Sequence, residues 1–489
     1  MARIVVGAVW ATIVRADAVE TRVINDTLCV DTPDADQTYA FKSGRWDGKT
    51  RFLRRPNNEF LAGLIYRVVG ALKAGGLPVE IVWHPVEGCS PLCGELDVQL
   101  REYQAAAVDR VIAFRRAAIQ CPTGGGKTEI GFEIARKIGH RTLWVTHRKV
   151  LLDQTIERFN TRSEIKAGVI IGKSVEVREF TVGMVQTLHR ILHEDKNFFR
   201  QFGTVIFDEG HLSAADTWQA LGQECVNAHY RYALSGTIDE VESPVNRLKI
   251  EGMAGPTITI STTIKLAGDG FLATPRIVLL RPDPASYPTY EDVRQAVCPK
   301  WRDDPRQLQR LGGALFRVTY ERGIIENQSR NKIAVETAAR HAAAGEKFLV
   351  LCNRILHAER IAAGLRARGC VTWFLDGGAS EDERRMTLRQ FRQSEVGGVL
   401  VATPFFREGV DVPQIDAGML AGGGESDIAV LQALGRMLRP RPDKPEVLIY
   451  DFIDRRDDPR DRRRDKEYLA IHSASRIALY REQGFEVAE

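Results

Sequence analysis

The residues with the clearest chemical meaning lie in one short stretch, residues 121–128, which reads Cys-Pro-Thr-Gly-Gly-Gly-Lys-Thr. Consecutive glycines let the backbone turn its N–H groups toward an anion, because no Cβ stands in the way. A helix that begins at such a loop adds its positive end. We therefore predict a phosphate-binding loop whose members are Thr123, Gly124, Gly125, Gly126, Lys127 and Thr128.

The flanks of this loop fit the prediction, since an apolar run (117–121) predicts a strand before it and residues 129–138 predict a helix after it. Lys127 would reach the β- and γ-phosphates, and the Thr128 hydroxyl would take a place on Mg²⁺. Cys121 replaces the first glycine of the general Gly-x4-Gly-Lys-Thr pattern. The alternative is a glycine-rich turn without a ligand.

An acid pair follows about eighty residues later, where the apolar run 204–207 ends in Asp208 and Glu209. In nucleotide hydrolysis Asp208 would hold Mg²⁺, and Glu209 would orient and deprotonate the attacking water. A further predicted strand, 231–234, ends in Ser235, Gly236 and Thr237, whose hydroxyls would sense the γ-phosphate. The alternative for the acid pair is a surface turn with two carboxylates.

Two arginines near the C-terminus lie about one helical turn apart, Arg436 and Arg439, and Gln432 precedes them. The sequence around them contains no second phosphate loop, so we predict that they supply positive charge to the transferring phosphoryl group. A solvated basic face is the alternative. Gln104, just before the phosphate loop, would present its amide to an adenine edge.

The periodicity of the chain predicts an α/β protein with two tandem parallel-sheet lobes. The expected parts are a small α+β N-terminal domain (1–95), a first lobe (96–268), a connecting segment (269–328), a second lobe (329–455) and a short helical C-terminal extension (456–489). In the N-terminal domain we predict strands at 4–14, 21–25 and 27–30 and a helix at 60–73.

The N-terminal domain also carries a basic stretch with aromatic residues, in which Trp46 and Lys49 are candidate nucleic-acid contacts. A solvated hairpin with Trp46 in its core is the alternative. Asp47, Gly48 and Lys49 would also fit the metal site of a nuclease, although they lie in a glycine turn. His84, Cys89 and Cys93 are close enough in sequence to suggest a metal, but a single Cys-x3-Cys is a poor zinc signature.

Composition limits the classes of protein that fit. The chain has 489 residues, 44% of them hydrophobic, which is enough for two to four domains. Its net charge is only +4, so nucleic-acid binding would depend on local patches. Eight scattered cysteines fit reduced thiols in the cytoplasm. The apolar run 4–14 is read as a strand and not as a signal peptide, and no run is long enough to span a membrane.

In their order, these motifs resemble those of superfamily 2 helicases over residues 96–455. Residues 44–49, 60–64, 79–81 and 320–331 are similar to the branch that contains the phage UvsW and XPB-like helicases. The resemblance implies RecA-like lobes, ATP and Mg²⁺ as cofactors, and ATP contacts from Gly409 and Asp411 within residues 403–413 and from Gln432. It also implies that His211, with residues 235–237, couples hydrolysis to movement.

The same resemblance implies 3′ to 5′ movement on single-stranded and branched DNA, with possible action on RNA:DNA hybrids in replication, recombination and repair. Single-strand-binding or recombination proteins would be possible partners. The expected nucleic-acid contacts in the lobes are Arg148, Gln186, Thr187, Arg354 and Thr403. Two other readings stay open: an RNA helicase or RNA-remodelling ATPase, and the motor of a nuclease or restriction system.

Overall fold

The computed structural model describes residues 1–86, 96–297, 305–403, 415–424, 427–439, 445–455 and 468–488. The chain divides into two compact units, Met1–Ser261 and Thr262–Glu489. In the described part of the chain, no helix combines the length and the apolar character that crossing a membrane requires. Each unit contains a large parallel sheet, so the predicted α/β class with two parallel-sheet lobes is confirmed.

The first unit begins with a four-stranded sheet of order β5-β2-β1-β6 and a separate two-stranded ribbon, β3-β4. Its elements are β1 (Ala2–Val6), β2 (Trp10–Arg15), α1 (Ala18–Thr27), β3 (Cys29–Asp31), α2 (Tyr39–Lys42), β4 (Lys49–Arg51), β5 (Glu59–Leu61), α3 (Ile65–Ala74) and β6 (Val79–Trp83).

The predicted strand at 21–25 is wrong, because α1 covers these residues. Asp17 caps this helix by accepting a hydrogen bond from Glu20 N, and the Glu20 carboxylate accepts one from Asp17 N in return. Such a capping box satisfies two backbone donors at the helix start. The local cap therefore outweighs the β-preference of the following residues.

The main sheet of the first unit has eight strands in the order β10-β9-β11-β8-β12-β13-β7-β14, all parallel except β10. Its elements are α4 (Glu102–Ile112), β7 (Arg116–Gln120), α5 (Lys127–Ile138), β8 (Thr142–Thr146), α6 (Lys149–Arg162), β9 (Gly168–Ile171), β10 (Ser174–Glu176), β11 (Phe180–Met184), α7 (Val185–Glu194), β12 (Thr204–Asp208), α8 (Asp216–Glu224), β13 (Tyr230–Ser235), α9 (Pro244–Ala254) and β14 (Thr257–Thr259).

The N-terminal sheet and the main sheet of this unit are packed together through α9. Leu248 of α9 is buried in the hydrophobic core of the N-terminal sheet. Arg67 forms an ion pair of 2.6 Å with Glu251. A Cβ on Gly63 would overlap the Glu251 carbonyl oxygen, so only glycine permits this close approach. Helix α9 of the first lobe therefore closes part of the hydrophobic core of the N-terminal sheet.

The second unit has a seven-stranded, all-parallel sheet of order β17-β18-β16-β19-β20-β15-β21. Its elements are α10 (Thr263–Gly268), β15 (Thr274–Leu280), α11 (Tyr290–Val297), α12 (Pro305–Tyr320), α13 (Gln328–Ala343), β16 (Lys347–Leu351), α14 (Ile355–Ala367), β17 (Thr372–Leu375), α15 (Glu381–Gln393), β18 (Gly398–Ala402), β19 (Ala417–Leu420), α16 (Asp427–Met437), β20 (Glu446–Phe452), α17 (Tyr468–Glu482) and β21 (Glu486–Ala488).

Two strands of the second sheet lie in segments that we predicted to be outside the second lobe. Strand β15 lies in the predicted connecting segment, and β21 lies in the predicted C-terminal extension. The two strands pair in parallel with each other at one edge of the second sheet. The second sheet is thus completed by chain on both sides of the predicted second lobe.

Candidate active site

Three adjacent strands of the first unit bring the predicted catalytic segments together. Strands β12, β13 and β7 are parallel neighbours. Because the carboxyl ends of parallel strands meet at one edge of the sheet, the acid pair after β12, the hydroxyl segment after β13 and the glycine loop after β7 lie side by side. The tertiary structure therefore assembles residues that are more than one hundred positions apart in sequence.

The glycine loop joins β7 to α5 and uses backbone conformations that favour glycine. Gly124 has a φ of +85° and Gly126 a φ of +79°. Helix α5 begins at Lys127, so the N–H groups of its first turn have no acceptor within the helix. These donors and the positive end of α5 suit an anion at the loop.

One carbonyl anchors the loop to the preceding helix. Gly125 O accepts hydrogen bonds from Gln104 Nε2 at 3.0 Å and from Tyr103 Oη at 2.7 Å. The other end of the Gln104 amide accepts from Arg101 N at 2.8 Å. A Cβ on Gly126 would overlap Gln104 Nε2. Gln104 thus supports the phosphate loop in this structure, and its predicted contact with adenine stays a prediction.

Lys127 lies at the meeting point of the loop and the segment after β13. Its Nζ donates to Cys121 O at 3.2 Å, and Cys121 N donates to Ser235 O at 2.9 Å. A Cβ built on Gly236 would lie 3.6 Å from both Lys127 Nζ and Thr123 N. The segment 235–237 is therefore in close contact with the phosphate loop.

The acid pair has an unusual electrostatic environment. Burial, followed by repulsion from the neighbouring Glu209 carboxylate, raises the pKa of Asp208 to about 6, and Lys127 opposes this shift. Asp208 Oδ1 accepts a hydrogen bond of 3.0 Å from Glu209 N. A cation next to Asp208 would favour its ionised form. A carboxylate and a hydroxyl are hard oxygen groups of the kind that Mg²⁺ prefers, and the role of Asp208 and Thr128 as its ligands stays a prediction.

A line of polar contacts runs from the acid pair to the end of β13. His211 Nδ1 lies 3.5 Å from Glu209 Oε2 and 3.0 Å from Ser235 Oγ. Ser235 Oγ in turn lies 3.5 Å from Thr237 Oγ1 and accepts from Thr237 N at 3.2 Å. The predicted coupling residues are therefore in mutual contact beside Glu209.

Besides Tyr103, sequence reasoning missed Gln120. Its Oε1 accepts hydrogen bonds from Ile238 N at 2.8 Å and Asp239 N at 2.7 Å. This contact joins the end of β7 to the chain that follows Thr237. The available signal was a polar residue that ends the apolar run 117–119, immediately before the phosphate loop.

In the second unit, Gln432 and Arg436 lie one turn apart on α16, and Arg439 follows the end of that helix. Gln432 is buried, whereas both arginines are partly exposed. The predicted ATP contacts Gly409 and Asp411 lie outside the described residues. The roles of these residues stay predictions.

Family models and relatives agree with the geometry. Residues 97–240 match the family described as "Type III restriction enzyme, res subunit", and residues 330–441 match "Helicase conserved C-terminal domain". A protein of Sulfurisphaera tokodaii named "DNA 3'-5' translocase XPB2" is 28% identical over 72% of this chain and 81% of its own length. The "ATP-dependent DNA helicase uvsW" of Enterobacteria phage T4 is 24% identical over 80% of this chain and 77% of its own.

The chain is a superfamily 2 helicase. The predicted resemblance to the UvsW and XPB proteins and the predicted ATP-hydrolysing activity are thereby confirmed. A solved structure, "ATP-dependent Type ISP restriction-modification enzyme LlaBIII bound to DNA", matches 72% of this helicase and 27% of that chain with a TM-score of 0.52 and 15% identity. This similarity concerns the fold alone.

Helicases of this family bind nucleic acid, and two candidate contacts of this helicase lie together at the carboxyl edge of the first main sheet. Gln186 Nε2 donates to His147 O at 3.2 Å, and Arg148 follows directly as the cap of α6. Thr187 is different, because it is buried and its hydroxyl accepts from Gly172 N at 3.0 Å. In the second unit Arg354 is exposed at the start of α14, and Thr403 is buried after β18.

The N-terminal ribbon, which comprises β3, β4 and the connecting residues 32–48, presents a larger aromatic surface than the sequence predicts. Trp46 is partly exposed and its Nε1 donates to Lys49 O at 2.9 Å. Tyr39 is 74% exposed, and the Arg45 guanidinium lies 5.8 Å from the centre of its ring. Phe41 is also exposed. Aromatic residues in a polar, basic stretch were the signal for Tyr39 and Phe41.

The nuclease metal site considered at Asp47, Gly48 and Lys49 gains no support from the contacts of Asp47. Asp47 forms a two-pronged ion pair with Arg51, which lowers the pKa of Asp47 to about 2. Within the described ranges, no three His, Cys, Asp or Glu side chains are grouped to hold a metal ion. His84 is described, whereas Cys89 and Cys93 lie outside those ranges.

Proposed function

We propose that this helicase uses ATP to move 3′ to 5′ along DNA and remodels branched DNA, such as forks, Holliday junctions and R-loops, in replication, recombination and repair. The observation that carries the proposal is the match over more than 70% of the chain to relatives named as a DNA 3′–5′ translocase and a DNA helicase. The exposed aromatic and basic residues of the N-terminal ribbon support it.

The proposed hydrolysis uses the three segments at the sheet edge. Lys127 and the loop N–H groups would bind the β- and γ-phosphates, with Thr128 and Asp208 as the residues that would hold Mg²⁺. The metal, when bound, would neutralise developing charge on the phosphates. Glu209 would accept a proton from the attacking water. Arg436 and Arg439 would act on the transferring phosphoryl group.

Movement along DNA would depend on the contacts between Glu209, His211, Ser235 and Thr237. Loss of the γ-phosphate changes the charge beside Glu209, and a hydrogen-bonded chain of side chains transmits such a change without large motion. Arg148, Gln186 and Arg354 would contact the DNA backbone. For Thr187 and Thr403, burial supports a role in shaping that surface.

The N-terminal ribbon would add a stacking surface for unpaired bases. Base–aromatic stacking tolerates any sequence and contributes roughly 1–3 kcal/mol per base. Arg45 and Lys49 would neutralise nearby phosphates. Since the core of the neighbouring four-stranded sheet includes Leu248 of the first lobe, point substitutions in the ribbon are better tests than deletion of the N-terminal elements.

The experiment compares unwinding of a synthetic Holliday junction, a fork, an RNA:DNA hybrid and an RNA duplex, with and without ATP. We expect ATP-dependent activity on the branched DNA substrates. Tyr39→Ala combined with Trp46→Ala should weaken junction binding while ATPase on single-stranded DNA persists, and Val19→Ala is the control at an exposed site of α1. Activity confined to the RNA duplex would contradict the proposal.

A second function, the motor of a nuclease or restriction system, is favoured by the name of the matched family at residues 97–240. The Asp47–Arg51 ion pair does not support a nuclease site in the ribbon. A metal-dependent nicking assay on supercoiled DNA separates the two functions. Cleavage by the purified chain, abolished by Asp47→Asn, would establish the nuclease.

A further inference from the structure

The second unit contains a second glycine-rich loop, residues 422–424, between β19 and α16. Gly423 has a φ of +59° and Gly424 a φ of +125°, which favour glycine at both positions. A Cβ on Gly422 would lie only 2.5 Å from Asn353 Cγ. We call residues 421–424 the carbonyl loop, because its described contacts are made mainly through its carbonyl oxygens.

Four consecutive carbonyl groups of the carbonyl loop accept hydrogen bonds from side chains. Arg330 Nη1 donates to Ala421 O at 2.6 Å, and Arg476 Nη1 donates to Gly424 O at 2.8 Å. Tyr320 Oη and Asn353 Nδ2 donate to Gly422 O, and Asn353 also donates to Gly423 O. These donors come from α13, α17, α12 and the end of β16.

The two arginines are fixed by buried carboxylates. Arg476 Nε and Nη2 donate to the two oxygens of Asp451 at 2.8 and 3.1 Å, and Arg330 Nε donates to Asp454 at 2.7 Å. All four side chains are almost completely buried. Burial alone would lower the pKa of Arg476, but the Asp451 carboxylate outweighs burial and the net pKa shift is upward.

This arrangement gives α17 a role beyond packing. The planar guanidinium of Arg476 holds Asp451 with one edge and reaches the carbonyl loop with another N–H group. Helix α16 begins at Asp427, shortly after Gly424, and carries Gln432 and Arg436. The loop that precedes α16 is therefore held in part by side chains from the two segments, 269–328 and 456–489, that flank the predicted second lobe.

We propose that Arg476 and Tyr320 are positioning residues for ATP hydrolysis, because they hold the carbonyl loop and thereby orient α16 and its Arg436. This inference rests on the proposed action of Arg436 on the phosphoryl group. Neither residue would touch the nucleotide. An error of about 1 Å in the placement of a reacting group costs on the order of 100-fold in rate, so a loosened loop would slow hydrolysis without weakening ATP binding.

The experiment measures kcat of DNA-stimulated ATPase, the Kd of a fluorescent ATP analogue and Tm for the full chain carrying Arg476→Lys, Tyr320→Phe or Tyr480→Phe. Lysine cannot bridge Asp451 and Gly424 O together, and Tyr320→Phe removes only the hydroxyl that donates to Gly422 O. Tyr480→Phe is the matched control, since its hydroxyl donates to Asp451 Oδ2 at 2.6 Å and not to the loop.

We expect kcat to fall at least threefold in Arg476→Lys and Tyr320→Phe with an unchanged Kd, well below the Tm of each variant. Tyr480→Phe should keep kcat even where its Tm falls. If Arg476→Lys does not fold, Tyr320→Phe alone decides. A kcat within threefold of wild type in both variants, or an equal loss of kcat in Tyr480→Phe, overturns the proposal.

Arg436→Ala, measured in parallel, separates the proposed action of Arg436 on the phosphoryl group from the proposed positioning by Arg476 and Tyr320. If Arg436→Ala keeps the wild-type kcat, the proposed role of that arginine fails. If Arg436→Ala is inactive while Arg476→Lys and Tyr320→Phe are fully active, only the positioning role fails.

Discussion

In the described part of the helicase, two glycine-rich loops follow parallel strands at their carboxyl ends, and they use their backbones in opposite ways. The phosphate loop (residues 123–126) follows β7 and leads into α5, whose first N–H groups have no acceptor within the helix. The carbonyl loop (residues 421–424) follows β19, and its four carbonyl groups accept from arginine, asparagine and tyrosine side chains.

The difference lies in the side chains around each loop. At the phosphate loop, Tyr103 and Gln104 both donate to the single carbonyl of Gly125. At the carbonyl loop, two buried guanidinium groups that are each paired with a buried carboxylate donate to the outermost carbonyl oxygens, so the loop presents acceptors to cations and not N–H donors to an anion. Consecutive glycines therefore permit close approach of another group, but its charge is decided by the packing around them.

The largest effect that we expect comes from the phosphate loop. Lys127→Ala should abolish ATPase, a loss of about 10³-fold or more, because the phosphates lose their only lysine within the predicted loop. Steady-state ATPase assays with and without single-stranded DNA measure it. Lys137→Ala on the outer face of α5, where Lys137 pairs with Asp109, is the matched control. Retained turnover in Lys127→Ala would refute the assignment of the loop.

Arg436→Ala should act next in size and in a different way. We expect nucleotide binding to persist while hydrolysis falls about 10³-fold, since an arginine that stabilises the transferring phosphoryl acts mainly in the transition state. Fluorescent nucleotide binding and single-turnover hydrolysis measure the two quantities. Arg385→Ala, at an exposed ion pair of α15, is the control. Equal loss of binding and hydrolysis would count against this role.

Alanine in each glycine loop should separate the two loops directly. Gly126→Ala would strain a residue at φ +79° and displace Gln104, so we expect ATP affinity to fall at least tenfold. Gly422→Ala would press on Asn353 and should lower Tm and kcat while ATP affinity persists. Thermal shift by ADP and Mg²⁺ reports binding in both variants. If Gly422→Ala loses nucleotide binding to the same extent as Gly126→Ala, the proposed difference in function between the two loops is contradicted.

The smallest effect should come from Gln104→Ala. The substitution removes one hydrogen bond to Gly125 O and one from Arg101 N, and each bond stabilises the loop by roughly 0.5–1.5 kcal/mol. We therefore expect the KM for ATP to rise about tenfold, with kcat little changed. A parallel series with GTP tests the adenine contact as well. If Gln104→Ala affects ATP and GTP equally, the residue supports the loop alone; a loss specific to ATP supports the predicted adenine contact.

The sequence predicted the phosphate loop, the acid pair and the segment 235–237, because each combines a short motif with an apolar strand before it. The structure adds Tyr103 and Gln120, which contact these segments through side chains that belong to no motif. The strand predicted at 21–25 is a helix, since the cap formed by Asp17 and Glu20 was not recognised.

By itself, the sequence determined the α/β class, the order of the motifs and the family, because periodicity and spacing are local properties of the chain. Only the tertiary structure decided that β15 and β21 pair with each other, and that Arg330 and Arg476 converge on one glycine loop. These contacts join residues far apart in sequence. The positions of Arg330 and Arg476 also depend on the buried carboxylates of Asp454 and Asp451, with which they form ion pairs. Only the folded chain therefore shows that the phosphate loop offers N–H donors, whereas the carbonyl loop uses its oxygen atoms as acceptors for side chains.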